Sequence, residues 1–183
     1  ATNVLSLCPG GVDESTAPGS GINCDAALAD CEHGTHVAGI AVGDNASGPD
    51  FGVARGADLI SIQVFSRFND PVDCGGDPTP CIASFASDQI LALERVYELR
   101  NSFAVAAVNM SLGGGQFFNQ ASCDADNGSI KAAIDALRSV NIPTVIAAGN
   151  NGWRDSILAP ACVSSAISVG DTTDKDAVAA ASN

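Results

Sequence analysis

The chain has 183 residues, 46% of them apolar and 16% charged, which favours a packed globular class over a disordered one. A net charge of −13, with only eight scattered basic residues, argues against nucleic-acid binding, which needs clustered phosphate contacts. No apolar run approaches the roughly 18 residues of a membrane span.

Residues 1–31 are rich in Gly, Pro, Ser and Asp, lack sustained periodicity and read as a long surface loop. A helix is predicted from His33 to Val42, with Ala38, Gly39 and Ala41 allowing close packing. Leu59–Phe65 is β-branched and apolar, which suits a buried strand. Residues 66–82 form a second polar loop, in which Cys74 and Cys81 are placed to close a small ring. A helix follows over Ser84–Leu99, with Ile90, Leu93 and Tyr97 on one face. Ala104–Met110 is the next strand. Asn127–Val140 reads as an amphipathic helix striped by Ile130, Ile134 and Leu137, and Asn141 and Pro143 end it. Strands are predicted at Pro143–Ala148 and Ser165–Val169.

Strand and helix alternating in this way form βαβ units, hence an α/β fold with a mostly parallel sheet covered by helices on both faces. Sites in such folds form at the carboxyl ends of the strands. Those ends carry Asn109–Gly115 and Ala147–Gly152. The chain reads as one domain.

Seven cysteines without a Cys-x-x-Cys pair disfavour zinc-ribbon and thioredoxin readings. Their irregular loop positions suit disulfides and a secreted, extracellular setting. The odd count leaves a free thiol or half of a bridge to a partner elsewhere. A start at Ala1 without initiator Met or signal peptide, and a stop inside an alanine-rich segment, suggest an internal fragment.

Three segments carry chemistry. His33 and His36 are the only histidines, three residues apart at a helix start. They suit a metal pair, a general base or a polar helix cap, although the His-Glu-x-x-His spacing is missing. Asn109–Gly115 runs from a strand into Ser-Leu-Gly-Gly-Gly, whose open backbone can pair with an extended peptide or make an ordinary turn. Ser111 lacks the Gly-x-Ser-x-Gly elbow of a nucleophile. Thr144–Gly152 is an apolar strand ending in Ala-Ala-Gly-Asn-Asn-Gly, where Asn150 is either a turn residue or an amide aimed into a cleft.

His-Gly-Thr-His-Val-Ala-Gly, then Asn-Met-Ser-Leu-Gly-Gly, then Ala-Ala-Gly-Asn, in this order and spacing, resemble the signature blocks of the subtilisin-like serine proteases. Val53–Ala57, Pro160-Ala161, Ala166–Gly170 and Ala181–Asn183 resemble further segments of that family, so nearly everything from Glu32 onward is covered. The resemblance implies a three-layer subtilisin-like fold, incomplete at both ends, and a serine endopeptidase with an Asp-His-Ser triad. It makes His33 the general base, His36 a packed structural residue and Asn150 the oxyanion-hole donor. Ser111, Leu112 and Gly113 would pair with the substrate backbone. With Gly114, Ala147, Ala148 and Gly149 they would line the primary specificity pocket, leaving room for a large apolar side chain.

No Asp here is followed by Thr-Gly or Ser-Gly, and no Gly-Thr-Ser-Met-Ala block is present. The family's catalytic Asp strand is therefore expected before residue 1 and its Ser helix after residue 183, leaving this chain inactive alone. Glu32 stands where the family has a small residue and is expected to face solvent. The resemblance also sets Cys123 and Cys162 beside the pocket, where a bridge between them is expected, and the odd cysteine count leaves one of Cys8, Cys24 and Cys31 expected to pair outside the chain. Expected partners are protein or peptide substrates, with no nucleic acid and no membrane span, and the chain is expected to be monomeric. No cofactor is required for the chemistry; a structural calcium is possible in this family, with no ligand set located here. The alternatives are a non-catalytic subtilisin-like domain that binds extended peptides, and a metal-dependent hydrolase using His33 and His36.

Overall fold

A computed structural model describes residues 3–45, 48 and 50–183. Of the expected loop over 1–31, residues 1 and 2 lie outside the described residues. The contacts divide the chain into two compact units, Ala1–Asp88 and Gln89–Asn183, and each is described by itself.

The first unit holds β1 (Val4–Ser6), a 3₁₀ turn (Pro9–Gly11), α1 (His33–Val42), β2 (Phe65–Phe68) and β3 (Cys81–Ser84). The three strands form an antiparallel sheet in the order β1-β2-β3, with Leu5 opposite Arg67 and Phe68 opposite Cys81. Two expectations change here. The long loop at the start contains a strand, because Val4–Ser6 finds a partner that local composition does not reveal. The second polar loop shortens to 69–80, since both of its ends join the sheet.

The apolar run at Leu59–Phe65 is a strand only in its last residue; Leu59, Ile60 and Ile62 are 54%, 41% and 37% exposed. A β-branched run is buried only when other strands flank it, and among the described residues no strand pairs with 59–64. The unit's own core is small: Leu28, Cys31, Phe68 and Cys74 are its buried apolar residues. Crosslinks compensate, as expected where little apolar surface is buried. Cys24–Cys31 and Cys74–Cys81 are disulfides with Cα separations of 5.3 and 5.8 Å. Cys8 is the free cysteine.

The second unit begins within α2 (Ala86–Leu99), which starts two residues later than expected because Ser84 closes β3. It continues with β4 (Val108–Met110), β5 (Gly114–Phe117), α3 (Gln120–Asp126), α4 (Gly128–Ser139), β6 (Thr144–Ala147), β7 (Ile157–Ala159) and β8 (Ile167–Val169). β4, β6 and β8 form a parallel sheet in that order, with Asn109 opposite Val145 and Val145 opposite Ile167. Met110 and Ile146 face a core shared with Leu93 and Val96 of α2 and with Ile130, Ile134 and Leu137 of α4.

The α4 stripe follows from spacing, since residues four and three apart share a helix face. Ile134 and Leu137 are 1% and 0% exposed. Asn141 ends the helix in the left-handed region at φ 63°. Its N–H donates to Arg138 O, and the N–H of Ile142 reaches back to Leu137 O, which together form a Schellman cap. α3 and the β5–β7 pair were not expected. α3 is announced by Asn119, whose side-chain oxygen accepts from Ser122 N–H at 2.9 Å. A Cys123–Cys162 bridge, Cα separation 5.9 Å, ties α3 to the segment after β7. Among the described residues no helix is long and apolar enough to cross a membrane.

Candidate active site

His33 opens α1, and its backbone N–H donates to Asp30 O at 3.1 Å. Asp30 adopts φ 64°, a left-handed turn that Asp tolerates and that swings the chain into the helix. The His33 side chain is exposed, as is Glu32 before it.

The far end of α1 is satisfied by a later segment. Gly52, Val53 and Ala54 donate their N–H groups to the carbonyls of Gly43, Ile40 and Ala41 at 2.7, 3.0 and 2.8 Å. These accept at a helix end whose last carbonyls lack intrahelical partners. The close approach needs glycine: a β-carbon at Gly52 would lie 2.7 Å from Val42 N and 2.8 Å from Gly39 O. His36 corrects an expectation. It is exposed rather than packed, on the rim of a depression of about 320 Å³ shared with Thr35, Ile40, Asp50 and Phe51.

In the second unit the two glycine-rich segments are brought together by the sheet. β4 and β6 are parallel neighbours, with Met110 opposite Ile146. Ser111-Leu112-Gly113 and Ala148-Gly149-Asn150 therefore leave the same sheet edge side by side. Ala148 is buried, Ala147 and Gly149 are half-buried, and Asn150 is exposed. Gly149 takes φ 123°, a conformation that L side chains rarely adopt, and so turns the chain just before Asn150.

Past these segments the chains pair again. β5 runs antiparallel to β7 with Gly114 opposite Ala159 and Phe117 opposite Ile157, and an irregularity lies between them. Gln116 Nε2 donates to Ser156 Oγ at 2.8 Å across this pair. Ser111 is half-buried, and its hydroxyl accepts from Asn109 Nδ2 at 3.1 Å.

Two residues to which the sequence assigned no role at the site complete the region. Asn183 grips the turn that carries Asn150: its Oδ1 accepts from Asn151 N–H at 2.9 Å and from Trp153 N–H at 3.1 Å. Its Nδ2 donates to Ala148 O at 3.2 Å, and its N–H to Gly149 O at 3.2 Å. Leu158 lies between Gly113 and Gly149, in the space expected to stand open for a large side chain. A leucine in a short strand gives no local sign of this, because the contact spans nine residues on one side and 45 on the other.

This is an α/β arrangement with a histidine at a helix start and two glycine-rich segments at neighbouring strand ends. The family model described as the subtilase family matches residues 12–183, and the chain belongs to that family. It is 35% identical over 173 residues to an extracellular serine proteinase of a Thermus species, covering 94% of this chain and 33% of that protein. It is 32% identical over 138 residues to the subtilisin-like proteinase Mp1 of Magnaporthiopsis poae, covering 75% of this chain and 29% of that one. Among solved structures, a cold-adapted subtilisin-like serine proteinase superposes with a TM-score of 0.55 at 28% identity, over 82% of this chain and 44% of the other. The chain thus spans a third or less of the two curated relatives.

Proposed function

We propose that this chain is part of a secreted serine endopeptidase of the subtilisin type, and that it supplies the general base and one oxyanion donor. His33 takes the proton of a serine hydroxyl as that oxygen attacks the scissile carbonyl, then passes it to the leaving amine. The Asn150 amide donates to the oxygen of the tetrahedral intermediate, where negative charge develops. Ser111, Leu112 and Gly113 hold the substrate as an added extended strand, and Gly114, Ala147, Ala148 and Gly149 flank its side chain before the scissile bond. The aspartate that orients the histidine and the nucleophilic serine are assigned to no residue of this chain. The chemistry needs no cofactor, and the chain is proposed to belong to one peptidase domain.

The observation that carries the reading is the side-by-side exit of Ser111–Gly113 and Ala148–Asn150 from neighbouring parallel strands, with Asn150 exposed after the φ 123° turn at Gly149. Backbone groups on one segment and an amide on the other then converge on a single extended peptide. Secretion is supported by three disulfides, which persist in oxidising compartments.

The test is a fluorophosphonate probe on the natural full-length protein and on its His33→Ala variant. Covalent labelling at a serine, lost in the variant, is the expected result. Peptide binding without labelling would favour a non-catalytic peptide-binding domain. Stoichiometric zinc with chelator-sensitive activity would favour a metal-dependent hydrolase.

A further inference from the structure

Leu158 sits where the two glycine segments come closest. Its backbone N–H donates to Ala148 O at 3.0 Å, and pairing of β5 with β7 sets the adjacent Ala159 opposite Gly114. From that position its side chain reaches both segments. A β-carbon at Gly113 would lie 3.0 Å from Leu158 Cβ and 3.2 Å from Cδ1. A β-carbon at Gly149 would lie 2.8 Å from Leu158 Cγ and 2.9 Å from Cδ1. Carbon atoms rest at about 3.5–4.0 Å, so a β-carbon on either glycine would crowd the isobutyl group, which lies between the two. The Asn183 amide nitrogen also crowds Gly149. The side chain is held from both directions, since its own backbone is bonded to Ala148 on one side and belongs to a paired strand on the other.

We propose that Leu158 fills the recess between Gly113 and Gly149 and so restricts the residue before the scissile bond to small side chains such as Gly, Ala and Ser. This selectivity rests on the peptidase reading of the same site. The glycines remove side chains from the walls, but the space they release is already taken. A substrate Phe or Leu side chain would have to displace Leu158, whereas a methyl group reaches less far between the glycines. Discrimination of about 10–200-fold accompanies a single methylene in an apolar pocket, so a filled recess should discriminate against an aromatic ring at least that strongly.

The experiment uses the natural full-length protein with two peptides that differ only in Ala or Phe before the cleaved bond. Cleavage and direct binding by calorimetry are both measured, for wild type, Leu158→Ala and Leu158→Gly, with thermal melts to establish that each variant folds. Wild type is expected to favour the Ala peptide by about tenfold or more in kcat/KM and in affinity. Leu158→Gly should raise kcat/KM for the Phe peptide by about tenfold or more, with Leu158→Ala in between. If Leu158→Gly does not fold, the wild-type preference and Leu158→Ala decide. Cleavage that favours Phe, or fails to distinguish the peptides, overturns the role of Leu158 and leaves the peptidase reading intact. Selective binding of the Ala peptide without cleavage or fluorophosphonate labelling overturns the peptidase reading and leaves the filled recess intact. Binding of neither peptide overturns both.

Discussion

The side-chain oxygen of Asn183 accepts hydrogen bonds from the backbone N–H groups of Asn151, at 2.9 Å, and of Trp153, at 3.1 Å. Asn183 lies 33 residues from Asn150 in sequence, yet it holds both ends of the turn that presents the Asn150 amide. A turn held only by its own backbone would let that amide wander, and in the oxyanion role proposed for Asn150 a donor contributes most when it is already in place.

Asn183 is therefore expected to act as a positioning residue. Asn183→Ala should lower kcat of the full-length protein several-fold with little change in KM, because the donor is displaced while the substrate strand contacts remain. Stability should fall by about 1–3 kcal/mol, the usual cost of leaving a backbone group without its partner. Asn183→Asp keeps the acceptor for Asn151 and Trp153 and should recover part of kcat. Steady-state kinetics of the three proteins check this; an unchanged kcat in Asn183→Ala would remove the positioning role.

Asn150→Ala is expected to reduce kcat by about 10²–10³-fold and to leave KM nearly unchanged, since the donated bond strengthens only as the oxyanion forms. That magnitude is taken over from subtilisin itself, the system in which such a donor has been removed. A rise in KM at constant kcat would instead mark Asn150 as a ground-state binding residue.

The three disulfides should differ in worth. Cys123–Cys162 closes a separation of 39 residues, against 7 for Cys24–Cys31 and for Cys74–Cys81. Loop-closure entropy gives about 4 kcal/mol for the long loop and about 2 kcal/mol for a short one. Replacing both Cys123 and Cys162 with Ala should therefore lower the denaturant midpoint more than the same change at Cys74 and Cys81. Equal effects would point to strain or residual structure in place of chain entropy.

Asp124 lies next to that long bridge and holds Ser164, with its carboxylate accepting from the Ser164 hydroxyl at 2.6 Å and backbone N–H at 2.9 Å. These two bonds lower its pKa below the ordinary 3.8. The sign follows from linkage: a depressed carboxylate pKa stabilises the fold above pH 3.8 and loses that contribution as pH falls through the folded value. Hydrogen exchange at Ser164 should accelerate, relative to a reference amide, on acidification below that pH. Asn at this position keeps an acceptor without the charge, so Asp124→Asn should flatten the pH dependence. A wild-type profile as flat as the variant's would remove Asp124 from acid unfolding.

Much of the second unit was legible because its signals are local. Ile130, Ile134 and Leu137 recur at helical spacing, and Asn141 with Pro143 stops the helix. The signature blocks around His33, Ser111 and Asn150 are contiguous strings, so the family could be read before any contact was known. The rest depends on partners distant in sequence. Val4–Ser6 becomes a strand only by pairing with Phe65–Phe68, and the apolar run at Leu59 is exposed where no described strand flanks it. His36, which the family resemblance makes a packed residue, lies on an open rim.

By itself the sequence determined the family, the α/β class and the α1 span, because each is encoded in short spacing or a continuous motif, and it carried the proposal for His33 and Asn150. Tertiary structure alone decided which cysteines pair with Cys24 and which is left free, that Asn183 grips the Asn150 turn, and that Leu158 occupies the space between Gly113 and Gly149. Those are contacts set by strand register and backbone direction, which spacing along the chain does not specify even where, as for Cys24 and Cys31, the partners are only 7 residues apart.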